Sequence, residues 1–134
     1  MTKRRKVWAR GLGAEEKAAI AAICERFVAE ILKPRFLPDI RETRFNYPVD
    51  LFGQWRGNRY SFVLRYRSGW PDNAGEEFNA PFTRLDHVED SILETRFDVM
   101  WHRHTGQWWR LHSAVTLDEA LRLIETEPLL QPAI

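Results

Sequence analysis

The side chains best suited to chemistry lie close together in the last third of the chain, where Asp98, His102, His104, Arg110 and His112 flank a turn at Gly106. Imidazole titrates near neutral pH, and a carboxylate beside it raises its pKa and orients it for proton transfer. Whether these groups meet depends on hairpin register, since a slip of one residue sends every side chain to the opposite face of a sheet. A two-residue loop at Thr105-Gly106 mixes apolar and polar residues on both faces. A three-residue loop, His104-Thr105-Gly106 with Gly106 left-handed, aligns Phe97, Val99 and Trp101 with Trp109 and Leu111 on a core face. It leaves Asp98, Met100, His102, Trp108, Arg110 and His112 outward, with His112 opposite Asp98, His102 opposite Trp108 and Arg110 opposite Met100.

On that reading Asp98, His102 and His112 are the catalytic candidates, set against the plainer alternative of a cross-strand ion pair on a wet sheet. A metal site would need a further ligand that the sequence does not name. No CxxC or Cys/His zinc pattern, no nucleophile motif and no phosphate-cradling glycine loop occurs, so neither metal nor cofactor is expected and the balance leans away from an enzyme. The same outward face carries Trp108 and Arg110, and Arg65 and Arg67 extend it if their strand lies alongside, as does Arg44. Trp70 sits in the longest loop, either as an anchor or as a contact.

Trp and Arg are the residue types that anchor interfaces. The first expectation is therefore a non-enzymatic binding or interaction domain that uses Trp108, Arg110, Arg65, Arg67 and Trp70 to hold a protein or a small anion. A second is a nucleic-acid-binding module, with Arg44, Arg65, Arg67 and the Lys3 to Lys6 arm on phosphates and aromatic rings stacked on bases. A third is a small enzyme built on the Asp/His pair.

Composition narrows the class. The 134 residues are 44% hydrophobic and 29% charged, the balance of one ordinary folded domain over residues 1–134, of which residues 1–12 are a basic arm expected to be flexible. The net charge of +1 hides an asymmetry, because residues 1–67 hold 15 of the 20 Lys+Arg and 7 of the 19 Asp+Glu. Sixteen Arg against four Lys suits recognition of phosphates and carboxylates, or reflects GC-rich coding. The longest apolar run, Ala18 to Cys24, is far below the roughly 20 residues that span a bilayer. Arg10, Gly11 and Gly13 interrupt any signal-peptide pattern, so the expectation is a cytoplasmic protein with no membrane partner. The single cysteine, Cys24, falls on an apolar helix stripe and reads as core.

The elements that position these groups follow from periodicity. Ile20, Ile23, Cys24, Phe27 and Ile31 recur at helical spacing between Ala14 and Lys33, with Gly13 before and Pro34 after, and an extended connector is expected at Arg35-Phe36-Leu37. Thr43, Phe45 and Tyr47 alternate into a short strand that Pro48 interrupts or places on an edge, and Val49 to Trp55 continues it. Arg56-Gly57-Asn58 reads as a turn into the clearest strand, where Tyr60, Phe62, Leu64 and Tyr66 alternate. A loop follows from Ser68 to Glu77, then a strand over Phe78 to Leu85 whose Pro81 demands an edge or a bulge. Thr95 to Arg103 and Trp108 to Ser113 form the hairpin. Thr116 with Glu119 makes a capping box for a helix striped by Leu117, Ala120, Leu121 and Ile124. The sum is an α+β fold: an N-terminal helix, a four- to five-stranded antiparallel sheet and a short C-terminal helix, with the helices on one sheet face.

Over roughly residues 50–128 the chain resembles the domain-of-unknown-function 3024 family of small bacterial proteins. The likeness rests on Trp55-Arg56-Gly57-Asn58 before an aromatic strand, Arg67 and Trp70 before the long loop, and Ala80-Pro81-Phe82. Phe97 to Trp101, the Gly106 turn with Trp108-Trp109-Arg110, and a helix ending near Glu127-Pro128 complete it. Leu129 to Ile134 departs from the Gly- and aromatic-containing ending of that family. The resemblance implies a fold and carries no catalytic residue across.

Overall fold

A computed structural model describes residues 11–90 and 93–134. The basic arm expected over residues 1–12 therefore lies, for residues 1–10, outside the described residues. Helix α1 (Ala14–Phe27) opens with Glu15 and Glu16 at its positive dipole end, and Glu16 Oε1 accepts the Gly13 N–H at 3.2 Å. The helical path does not stop at Pro34, as its ring and missing N–H would lead one to expect. Instead α1 widens into a π turn (Val28–Leu32) and runs on as α2 (Lys33–Phe36). In that wide turn the Lys33 N–H reaches back to Val28 O, so Pro34 arrives where the α-helical ladder is already displaced. Arg35 and Phe36 are therefore helical rather than extended.

Five strands follow, β1 (Asn46–Arg56), β2 (Arg59–Ser68), β3 (Glu77–His87), β4 (Phe97–His102) and β5 (Trp108–Val115), paired antiparallel in chain order. Thr43 and Phe45 lie outside β1, which begins at Asn46 and runs through Pro48, an edge position with no neighbour to demand its N–H. The β1–β2 register shifts at Val49. Pro81 sits in a central strand beside a second shift, where Phe82 is the extra residue and both Phe82 and Thr83 are buried. Helix α3 (Leu117–Thr126) starts at Thr116, whose hydroxyl accepts the Glu119 N–H at 3.2 Å. A short 3-10 turn (Pro128–Leu130) closes the chain against the sheet.

The described helices cover one face of the sheet. Ile20, Cys24 and Phe27 of α1 and Ala120, Leu121 and Ile124 of α3 join Leu51, Phe62, Leu64, Leu85, Phe97 and Val99 in one core. Phe27 meets Phe62 edge-on at 6.3 Å, Trp55 Nε1 donates to Lys17 O at 3.0 Å, and Thr83 Oγ1 donates to Leu130 O at 2.7 Å. Gly53 is required by Tyr60, whose ring occupies the space a Cβ at position 53 would fill.

Burial pushes the Cys24 thiol up to about 12 and raises the Tyr60 phenol above its ordinary range. An unfolded chain releases these protons near 9.0 and 10.0, whereas the folded chain keeps them. The contribution is full below pH 9 and is lost as pH rises toward 12. Urea unfolding should therefore show stability falling by roughly 1 kcal/mol per pH unit above the thiol's unfolded pKa, more steeply once the phenol joins. A flat alkaline profile would refute this account of the core.

Candidate functional site

The face away from the helices is assembled row by row across the strands, because directly paired residues point to the same side. One row runs Arg56, Arg59, Asp86 and Asp98. The next runs Gln54, Ser61, Arg84, Met100 and Arg110 across all five strands. Beyond it come Phe52, Val63 and Pro81, then His102 beside Trp108, and finally Arg65 with Asn79 and Arg67 with Glu77. Between these rows lies a hollow of about 380 Å³, walled by Arg56, Arg59, Arg84 and Trp108, with Val63 and Pro81 in its floor.

Its electrostatics are organised by Asp86. Arg84 grips that carboxylate with two bonds, Nε to Oδ1 at 2.6 Å and Nη2 to Oδ2 at 2.9 Å, in surroundings that leave the two side chains 14% and 20% exposed. Arg59 approaches the same carboxylate at 3.8 Å from the other side. The Arg84 guanidinium also lies 4.6 Å over the Trp108 ring, a cation–π contact between two residues that line the hollow. Arg65 likewise covers Phe52 at 4.8 Å and donates to Asn79 Oδ1 at 3.3 Å. Arg67 donates to Glu77 at 2.8 Å, and that bond, with a further one to Tyr47, raises the guanidinium pKa. Arg56 has no carboxylate within ion-pair distance among the described residues and stands directly opposite Arg59.

The sequence-derived candidates divide. Trp108, Arg110, Arg65 and Arg67 share this face, with Trp108 in the hollow itself. Trp70 stands elsewhere, in the β2–β3 loop, 46% exposed and packed edge-on to Phe45 at 5.1 Å with Arg44 over Phe45. The hairpin tip follows the expected three-residue loop, with Arg103 N–H donating to Gln107 O and Gly106 at φ +85°. His102 pairs with Trp108 and Arg110 with Met100.

Further along the hairpin the register changes, and His112 pairs with core residue Val99 rather than with Asp98. The cause is a pair of irregularities in β5 around Leu111 and around Ser113 and Ala114. Ala114 takes a left-handed φ of 52° and donates its N–H to Asp98 Oδ1 at 2.9 Å, and Asp98 Oδ2 faces Arg110 Nη1 at 3.7 Å. The Asp/His pair expected from an unbulged hairpin is thus not formed. His102 instead packs on Trp108 with ring centroids 4.7 Å apart. No group of three His, Cys, Asp or Glu side chains suited to a metal occurs among the described residues.

Sequence reasoning missed Arg56, Arg59 and Arg84. The available signals were Arg84-x-Asp86, two opposite charges at the period-two spacing of one strand face, and the two arginines bracketing the Gly57-Asn58 turn. Removing the shielded partner should matter far more than removing the exposed one. Arg84→Ala is expected to destabilise the fold by about 2 kcal/mol, since it strands a largely covered carboxylate, and Arg110→Ala by less than about 0.5 kcal/mol. Urea midpoints of the two variants check this, and equal effects would overturn the ranking.

Neither a curated protein nor a solved structure matches the chain. A family model described as Domain of unknown function (DUF3024) matches residues 12–130, which takes in every described helical element, all five strands and the hollow. The chain belongs to the DUF3024 family.

Proposed function

We propose that this protein is a non-enzymatic binding domain whose open sheet face holds an anionic ligand, a small anion or an acidic group of a protein, at the hollow beside Trp108. The observation that carries this reading is the excess of guanidinium there. Arg56, Arg59, Arg65, Arg67, Arg84 and Arg110 share a face with Asp50, Glu77, Asp86 and Asp98 as counter-charges, and Asp50 is already held by Lys33. Arg56 and Arg59 stand opposite each other, an arrangement that costs free energy until an anion bridges them. Gln54 and Ser61 add neutral donors at the next row, and the apolar floor suits a ligand with a non-polar body.

The commitment of Asp98 to Ala114 and Arg110 argues against a general base on this face. Single-stranded nucleic acid is the second reading, favoured by the line of Arg59, Arg65 and Arg67 along β2. The compartment we propose is a bacterial cytoplasm, consistent with the free thiol of Cys24 and with the lack of any described helix long and apolar enough to cross a membrane.

Titrating pyrophosphate, a polyglutamate peptide and oligothymidylate while following tryptophan fluorescence tests both readings. At least one anion should give a saturable change that Trp108→Phe abolishes and that Arg59→Ala weakens by about tenfold. A response confined to oligothymidylate, with affinity falling steeply as salt rises, would select the nucleic-acid reading. No saturable response to any of the three would sink the proposal.

A further inference from the structure

The outer edge of β1 offers a second surface, which shares Arg56 with the hollow. The β1–β2 hairpin turns through two residues, Gly57 at φ +58° and Asn58, so Arg56 and Arg59 form the closing pair and aim their backbone groups at each other. Alternation along an antiparallel ladder then points the backbone groups of Leu51, Gly53 and Trp55 away from β2. Among the described residues no backbone group outside β2 bonds to residues 50–56, and the Leu51 N–H is met only by the side chain of Asp50 at 2.8 Å. The register is unbroken from Asp50 to Arg56, so this is a straight edge of seven residues, the kind of edge that proteins ordinarily cover or blunt.

The edge is open on the helix side as well. A hollow of about 260 Å³ separates Leu51 and Gly53 from Glu25 and Ala29 of the helical layer. Ala18 and Ala22 share the helix face of Glu25 and Ala29 by spacing and are exposed, so between Lys17, which lies against Trp55, and Lys33, which reaches Asp50, this face carries small side chains apart from Glu25.

We infer that the β1 edge pairs with the β1 edge of a second copy of this chain, antiparallel and centred on Gly53. That register is self-complementary. Gly53 meets Gly53 on the two-fold axis as a hydrogen-bonded pair, Leu51 meets Trp55 of the other copy, and Asp50 meets Arg56 twice by symmetry. Arg56, which lacks a carboxylate among the described residues of its own protomer, gains one, and Asp50, now bound to Lys33 at 3.1 Å, gains a second cation. The alanines allow the two α1 helices to approach to about 8 Å above the joined strands. The sheet then runs unbroken through both copies with the arginine faces on one side. Asp50 of the second copy reaches Arg56 from the outside and leaves Arg59, Arg84 and Trp108 to the hollow.

Sedimentation velocity over a range of protein concentrations, with hydrogen exchange on the same samples, tests the pairing without any ligand. The wild-type chain should dimerise, and the amides of Gly53 and Trp55 should become protected as it does. Arg56→Asp and Asp50→Arg should each weaken the dimer by about tenfold or more, because each places like charges opposite one another twice, and the double exchange should restore it. A chain that stays monomeric at millimolar concentration overturns the inference. So does a dimer in which Gly53 and Trp55 exchange freely, or one indifferent to both single variants. Loss of dimerisation in the single variants without recovery in the double exchange also counts against this register.

Discussion

Phe27 of α1 meets Phe62 in the middle of β2, and this contact ties the helical layer to the sheet where the buried face is deepest. Once that face is chosen, the period of two fixes the sides of β2: Tyr60, Phe62 and Leu64 go under the helices, and Arg59, Ser61 and Arg65 go to the opposite face. The arginine face is therefore a by-product of hydrophobic burial on the other side of the same strands. Its individual charges owe their positions to Leu51, Leu85, Phe97 and Val99 far more than to one another.

Charges so placed do not automatically find partners. Asp86 and Asp98 stand opposite each other across β3 and β4, as Arg56 and Arg59 do across β1 and β2. The carboxylates are relieved within the protomer, Asp86 by Arg84 and Arg59, Asp98 by Arg110 and the Ala114 N–H. The arginines at the turn are relieved by much less. A surface that settles its negative like-charge pair and leaves Arg56 without a carboxylate among the described residues is biased toward anions by local geometry, even though the net charge of the whole chain is only +1.

The features legible in the sequence were those set by local rules. Helical spacing placed Cys24 and Phe27 in the core, the Thr116 cap started α3, and a left-handed Gly106 set the hairpin tip and the pairing of His102 with Trp108. The misses at the site trace to contacts between residues distant in sequence. Ala114 adopts its left-handed conformation against ordinary steric preference while its N–H is held by Asp98, and nothing in Leu111 to Val115 announces it. The hollow was missed because Arg56, Arg59 and Arg84 belong to three strands whose registers, one of them bulged, must all be known before the rows can be drawn.

The π turn at Val28–Leu32 sets an angle as well as accommodating Pro34. Such a turn holds one more residue than the α-helical turn it replaces, and each residue advances a helix by about 100°. Loss of that extra residue would leave α2 in place and rotate everything before it, carrying Cys24 and Phe27 off the sheet and turning other positions inward. The short stretch between Phe27 and Lys33 thus acts as a phase setting, and lineages of this fold can change its length only in step with the entire stripe of α1.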